Sequence, residues 1–369
     1  MTKLLADLHA SNDAEAKGVL RAELGCYLAR VGEFGESERI RQELRSEFGD
    51  ARSFRVSILI MMMEALQLYY RNLSPSARDR MLRASLLSKG FRDKRLIART
   101  SAWMAHIELN AARFDAMASE LETCLSAMEP GDDITECRAA LVFGDAFLIA
   151  GLSSQSQAWY ERARQAATRL GDHAAVGAMT YNRAALRVAR CRYERLTAES
   201  TSVDVPLLRL DVESAINYQS VARLRSLEHL LTTAKVGLLF VQGDYVAAIP
   251  YIQELLASGE VAPASAQRSL LMADYAFALA KASKVDEAII QLESASKTLV
   301  DSIPTDDLCL ILSSLRDAAG LCFREEACLE LGAQLREANA KHENVIAELR
   351  KRLGTFDPPL ADRPRLRPN

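Results

Sequence analysis

The clearest structural signal in the sequence lies at residues 235–248, which read Lys235-Val236-Gly237-Leu238-Leu239, then Gly243-Asp244-Tyr245, then Ala248. A small residue lies inside an apolar run, and a turn follows about seven residues later. An aromatic residue then begins the next apolar run. Glycine lets two helix backbones approach closely, and it ends a helix easily because it accepts a positive φ. The pattern therefore predicts a helical hairpin.

The same pattern recurs along the chain at a nearly constant spacing. Clear copies surround Gly25, Gly144 and Ala276, and weaker ones surround Ala65, Ala105 and Ala184. With residue 236 included, the equivalent positions are 25, 65, 105, 144, 184, 236 and 276, and their differences are 40, 40, 39, 40, 52 and 40. This regularity predicts one hairpin about every 40 residues, with an insertion of about 12 residues between 184 and 236.

The composition favours an all-helical chain with few breaks. Among 369 residues there are 17 glycines and 10 prolines, aromatic residues make up 6%, and the formal net charge is −3. Few helix breakers and an acidic balance disfavour both a β-rich fold and nucleic acid as a partner. No uncharged run approaches the roughly 18–20 apolar residues of a membrane span, and the seven cysteines form no C-x-x-C motif. We expect a cytoplasmic protein with reduced thiols that does not contact a membrane.

The repeated hairpin resembles the tetratricopeptide-repeat family. The resemblance is carried by Leu24-Gly25 with Gly32-Glu33-Phe34, by Phe143-Gly144 with Gly151 and Tyr160, and by Gly243-Asp244-Tyr245-x-x-Ala248. The period exceeds the usual length of about 34 residues and is similar to the longer-helix variant in bacterial signalling enzymes and transcription regulators. Over roughly residues 18–320, the resemblance implies an all-α, right-handed solenoid of about seven to eight stacked hairpins.

Three segments are predicted along the chain. Residues 1–320 form the solenoid, residues 321–353 a long C-terminal helix, and residues 354–369 a disordered tail rich in Pro and Arg. The insertion at about 191–230 is either a lengthened hairpin loop or a hinge or lid. The terminal helix carries an apolar heptad pattern, so it either caps the last hairpin or joins two copies of the chain in a coiled coil. The candidate self-association residues are Leu331, Leu335, Val345 and Leu349.

The sequence contains no motif that carries chemistry. It lacks a phosphate-binding glycine loop, a G-x-S-x-G nucleophile and an H-E-x-x-H metal motif, and its five histidines have no i, i+4 partner among themselves. We therefore predict a protein that is not an enzyme and that uses neither a metal nor another cofactor.

Candidate binding residues follow from the architecture that the resemblance implies, in which the first helix of each hairpin lines a concave groove. Met, Tyr and Trp offer adaptable apolar area there, and Arg, Asn and Asp give directional contacts. Trp103 is the expected anchor for a partner. The candidate groove residues are Met62, Tyr69, Tyr70, Arg99, Trp103, His106, Asn110, Arg138, Asp145, Tyr181 and Asn182.

A second candidate surface is the basic sequence between residues 160 and 195. It is either a solvated face balanced by acidic neighbours or a docking surface for an acidic protein segment or phosphates. Its arginines are Arg162, Arg164, Arg169, Arg183, Arg187, Arg190, Arg192 and Arg195.

Three functions are compatible with these observations. The favoured one is an interaction scaffold of bacterial regulation or signalling, whose groove binds a partner peptide or helix. The second is a sensor that binds a small ligand or peptide and changes its curvature or dimer state. The third is an enzymatic or nucleic-acid-associated role through residues 160–195. A closed pocket beside Trp103 would favour the sensor over the scaffold.

Overall fold

The computed structural model describes residues 13–49, 53–197, 204–226, 228–263 and 265–356. Within these ranges the chain forms sixteen α-helices and no β-strand, which confirms the all-α prediction. Consecutive helices pair as eight hairpins. In chain order the helices are α1 (Ala14–Val31), α2 (Phe34–Phe48), α3 (Phe54–Asn72), α4 (Ser76–Phe91), α5 (Lys94–Asn110), α6 (Phe114–Ala127), α7 (Asp133–Ile149), α8 (Ser153–Leu170), α9 (His173–Thr197), α10 (Val205–Ala222), α11 (Glu228–Gln242), α12 (Tyr245–Ala257), α13 (Ala266–Lys281), α14 (Val285–Ser296), α15 (Thr305–Leu321) and α16 (Glu325–Leu353).

Five of the seven repeat positions are followed by a turn at the expected spacing; after Ala65 the left-handed residue is Leu73, one position later, and after Ala184 the helix continues to Thr197. Seven residues after the repeat position, the backbone is left-handed at Gly32, Ala112, Gly151, Gly243 and Ser283, with φ of +89°, +53°, +78°, +83° and +59°. This conformation ends the first helix and sends the chain back antiparallel to it. Glycine adopts it without strain, whereas it is strained at Ala112 and Ser283 because their Cβ atoms disfavour a positive φ.

A second position of the repeat lies twelve residues after the first, where the second helix of the hairpin packs against the first helix. In two hairpins this residue is a serine that donates to the carbonyl of the repeat glycine: Ser37 Oγ to Gly25 O, and Ser156 Oγ to Gly144 O, both at 2.8 Å. In other hairpins it is a buried apolar residue, such as Ala248 or Ala288. The residue at this offset thus holds together the two helices of its own hairpin, and it does so in one hairpin after another.

The insertion lengthens one hairpin. Helix α9 extends over 25 residues, and within the insertion α10 occupies Val205–Ala222. Residues 198–203, between these two helices, lie outside the described residues. Asp211 of α10 pairs with Arg183 and Arg187 of α9, so this pair of helices is held by charges as well as apolar contacts.

The chain divides into two compact units. Unit 1 comprises Met1–Met179, Tyr218–Leu227 and Glu348–Asn369, and unit 2 comprises Thr180–Asn217 and Glu228–Ala347. Each has its own buried apolar core. The predicted division at residues 320 and 353 stays a prediction. The predicted tail falls outside the described residues from 357 onward, and just before it Phe356 packs edge-on against Phe143 with ring centroids 5.0 Å apart.

The apolar side of the C-terminal helix is covered within the chain. Leu331 and Leu335 belong to the core of unit 2, where they pack with residues of α15 such as Leu315. Leu349 is fully buried in unit 1, and Val345 is half-buried. A seam between two copies would need these side chains free, so their burial favours the capping role over self-association.

Candidate functional site

A pocket of about 320 Å³ lies on the face of unit 1 formed by the first helices of four hairpins, α1, α3, α5 and α7. We call it the unit 1 pocket. Its lining combines charged groups with leucine and methionine side chains. The lining residues are Leu20, Glu23, Cys26, Tyr27, Arg30, Leu59, Met62, Leu66, Arg95, Arg99, Trp103, Gly131, Asp132, Asp133, Ile134, Cys137, Arg138, Leu170 and Asp172.

Arg99 ties three helices together at this pocket. It lies on α5, donates to Glu23 of α1, and its Nη2 lies 3.4 Å from Oδ1 of Asp132, the residue that caps α7. The exposed fraction of its side chain is 5%. A buried ion pair is expensive to break because the remaining charge would lack a partner, so these contacts fix the positions of α1, α5 and α7 relative to one another.

A second ion pair joins Arg30 of α1 to Asp172. The two side chains meet at 2.6 Å, and Asp172 also accepts a hydrogen bond from the backbone N–H of Ala175 at 2.9 Å, at the start of α9. Burial alone would raise the pKa of Asp172, but the charge of Arg30, the hydrogen bonds from Arg30 and Ala175 and the charge of Arg138 together outweigh it and hold the pKa below the ordinary value. Asp172 is therefore a carboxylate that Arg30 neutralises.

Arg138 and Trp103 form the most unusual contact of the pocket. The guanidinium carbon of Arg138 lies 3.7 Å from the centroid of the Trp103 ring, and the two residues are 4% and 5% exposed. Stacking of this kind holds the guanidinium plane in a fixed orientation. Nη1 of Arg138 is buried without a hydrogen-bond partner in the described part of the chain, and so is Nε of Arg99.

An aromatic cluster stands behind this contact. Trp103 meets Tyr70 and His106 edge-on, with ring centroids 6.2 Å and 5.6 Å apart, and Tyr69 meets His106 at 5.3 Å. Burial, reinforced by the charge of Arg138, holds the pKa of His106 well below its ordinary value near 6.5. The ring is therefore neutral at physiological pH.

The thiols at the pocket are not activated nucleophiles. Burial raises the pKa of both Cys26 and Cys137 to about 12. Each sulfur lies near a backbone carbonyl oxygen, that of Leu59 at 3.9 Å and that of Ala163 at 3.6 Å. At neutral pH these cysteines act as small apolar side chains. All seven cysteines of the chain are unpaired, as free thiols.

The unit 1 pocket brings together four of the predicted groove residues, Met62, Arg99, Trp103 and Arg138. Tyr69, Tyr70 and His106 belong to the aromatic cluster behind it. Trp103, the expected anchor for a partner, is buried: its side chain forms a wall of the pocket, and Arg138 covers one of its faces. Its role as an anchor stays a prediction.

Four other predicted groove residues lie elsewhere. Asn110 is exposed at the end of α5 and donates to the carbonyl of His106 at 2.8 Å. Asp145 is buried, and it accepts a hydrogen bond at 2.6 Å from the hydroxyl of Tyr160 in the second helix of its own hairpin. Tyr181 and Asn182 are half-buried residues of unit 2.

The sequence prediction missed the residues that the first hairpin contributes. Gly25 of the first hairpin is equivalent to Ala65 of the second, 40 residues later. The groove positions of the second hairpin therefore correspond, 40 residues earlier, to positions that include Glu23, Cys26 and Arg30. Asp132 and Asp172 lie just before helices α7 and α9, where a capping role explains an aspartate without pointing to a pocket.

The arginines between residues 160 and 195 do not form an unpaired basic surface. Three of these arginines lie in unit 1, and each pairs with a carboxylate; Nε of Arg162, for example, donates to Glu136 at 2.6 Å. In unit 2, Arg192 pairs with Asp274 at 2.7 Å, and Arg195 donates to the carbonyl of Val241. This matches the alternative of a face balanced by acidic neighbours. The eight partnered arginines are Arg162, Arg164, Arg169, Arg183, Arg187, Arg190, Arg192 and Arg195.

The described residues contain no group of three or more His, Cys, Asp or Glu side chains placed to hold a metal ion. None of the helices described is long and apolar enough to cross a membrane.

No protein-family model matches the chain, and no curated protein matches it. Among solved structures, the chain is similar to a Rap protein complexed with competence and sporulation factor. The match has a TM-score of 0.56 at 12% sequence identity, and it covers 89% of this chain and 99% of that one. At such low identity the similarity shows the fold alone. It places the chain in the class of all-α helical-repeat proteins.

Proposed function

We propose that the chain is a non-enzymatic regulator of a bacterial signalling system, and that the unit 1 pocket binds a partner polypeptide. The observation that carries this proposal is the pocket itself. Successive first helices build it, ion pairs hold it rigidly, and it combines apolar walls with buried polar donors. Ligand sites in proteins commonly have this composition.

The size of the pocket limits what enters it. A volume of about 320 Å³ lies near the lower end of the range of about 300–1,000 Å³ typical of small-ligand sites. It suits one or two residues of a peptide rather than a whole helix. The similar Rap protein was solved in complex with competence and sporulation factor, which supports a binding role for this kind of fold.

A small-ligand sensor is the second candidate function. It is favoured by the position of the pocket directly beside Trp103 and by the enclosure of its charged groups. In this case the pocket would accept a metabolite, and its occupation would change the curvature or association of the helices. Mass spectrometry of small molecules released from the purified protein by denaturation distinguishes this candidate from peptide binding.

The peptide proposal is tested by affinity selection from a soluble octapeptide library. The full chain is incubated with the library, separated by size exclusion, and the retained peptides are identified by mass spectrometry. Leu20 is half-buried and lines the pocket, so Leu20→Glu is expected to abolish retention. The matched control is Leu86→Glu, because Leu86 lies in α4 of the same unit, is 59% exposed and does not line the pocket. Equal retention by both variants would place binding elsewhere.

A further inference from the structure

The charged groups of the unit 1 pocket are unevenly paired. Three of its carboxylates are held by Arg30 and Arg99, as described above, and the fourth, Asp133, pairs with Arg169 at 2.8 Å. Two arginines of the lining have no ion pair among the described residues. One is Arg95, which is exposed, and the other is Arg138, which is buried.

Arg138 has features of a binding group. Its guanidinium is fixed on the Trp103 ring and its Nη1 lacks an acceptor within the described residues, and Arg99 carries a second such donor, Nε. A buried charged donor without an acceptor is costly, and nearly all such groups in folded proteins have a partner. Because both arginines line the same pocket, an acceptor that enters the pocket can satisfy them.

We propose that the unit 1 pocket binds a single carboxylate attached to an apolar side group, with Nη1 of Arg138 donating to the carboxylate. This inference rests on the proposed function of the same pocket and names the chemistry of its ligand. A planar guanidinium is suited to a planar carboxylate, and a hydrogen bond between charged groups is about twice as strong as a neutral one.

The surroundings of Arg138 select one negative charge rather than two. Glu23, Asp132 and Asp172 line the same pocket, and although Arg30 and Arg99 pair with them, they disfavour a phosphate dianion more strongly than a monocarboxylate. A monocarboxylate balances the one buried arginine that has no ion pair. The remaining walls, formed by Leu20, Leu59, Met62 and Leu66, are apolar and accept an aliphatic side group.

Two sources supply this chemistry, namely the free carboxyl terminus of a peptide and a small organic acid. Two matched probe pairs distinguish them. The first pair is N-acetyl-leucine and N-acetyl-leucinamide, which differ only in the carboxylate. The second is the octapeptide library with free carboxyl termini and the same library with amidated termini.

The experiment measures binding of each probe to the full chain by calorimetry or affinity selection. The acid is expected to bind at least about tenfold more tightly than the amide. In Arg138→Gln this preference should disappear, whereas Arg138→Lys, which keeps the charge, should retain part of it. The control is Arg164→Gln, because Arg164 is exposed and pairs with Glu161 outside the pocket. The comparison of acid and amide in the wild-type chain stays informative if the Arg138 variants fail to fold.

The possible outcomes separate this inference from the proposed function. If peptides bind equally with free and amidated termini, the peptide function stands and the carboxylate inference is wrong. If N-acetyl-leucine binds in preference to its amide but no peptide is retained, the carboxylate inference holds with a small acid as its source, and the peptide function is wrong. If no probe binds, both are wrong.

Discussion

At Gly144, helices α7 and α8 pack so closely that a side chain has no room. A Cβ atom there would lie 2.8 Å from Cδ1 of Tyr160, and the Tyr160 hydroxyl is held by Asp145. We expect Gly144→Ala to lower the free energy of unfolding by about 1–3 kcal/mol, measured by denaturant titration, because the ring must shift to make room.

Gly90 of α4 provides the matched control, since a Cβ atom there would meet no atom within 4 Å. Gly90→Ala is expected to keep or raise the stability by up to about 1 kcal/mol, because alanine favours the helix. If Gly144→Ala were as stable as the wild type, the close crossing described for this hairpin would be wrong.

His106 makes the stability of unit 1 sensitive to acid. Its pKa is held well below the ordinary value near 6.5, so the unfolded chain takes up a proton that the folded chain does not. The stabilising effect of the neutral ring is complete above about pH 6.5 and is lost progressively as the pH falls below it, by at most about 1.4 kcal/mol per pH unit.

The test compares unfolding of the wild type with that of His106→Gln between about pH 7.5 and about pH 5.5. The wild type should lose more stability on acidification than the variant. The pKa of His229 and of His342 is also lowered, but both residues are unchanged in the two proteins and cancel in the comparison. An identical loss in the two proteins would show that His106 is protonated as easily in the folded state as in the unfolded state.

Two leucines of α16 distinguish a capping helix from a self-associating one, because one is buried within the chain and the other is exposed. Leu335 is 4% exposed in the core of unit 2, whereas Leu329 on the same helix is 76% exposed. We expect Leu335→Ala to lower the free energy of unfolding by about 2–5 kcal/mol and to leave the mass measured by light scattering unchanged. Leu329→Ala should alter neither quantity. A halved mass with unchanged stability in Leu335→Ala would instead assign the helix to a dimer interface.

Most of the elements could be predicted from the sequence because the small residue and the turn recur at a fixed offset. The eighth hairpin carries no small residue at the repeat position, because Arg316 occupies it. Its turn nevertheless follows the rule, since Phe323, seven residues later, has φ +58°. A residue with a side chain can replace glycine where the surrounding packing leaves room for it. The sequence pattern is then lost, but the left-handed turn is kept.

Over the whole molecule, the candidate site was harder to predict than the fold. Repetition identifies which helix faces are equivalent, and this was enough to find Arg99, Trp103 and Arg138. It does not show which charges meet. The ion pair between Arg99 and Glu23 joins residues that are 76 positions apart, and only the packing of the hairpins in unit 1 brings them together.

The proposed function depends on the binding of a partner peptide at the unit 1 pocket. Calorimetric titration of one retained octapeptide into the wild type, Leu20→Glu and Leu86→Glu tests it most directly. We expect one peptide per chain, an affinity for Leu20→Glu at least about tenfold weaker than that of the wild type, and an unchanged affinity for Leu86→Glu. Wild-type affinity in a correctly folded Leu20→Glu protein would contradict the claim.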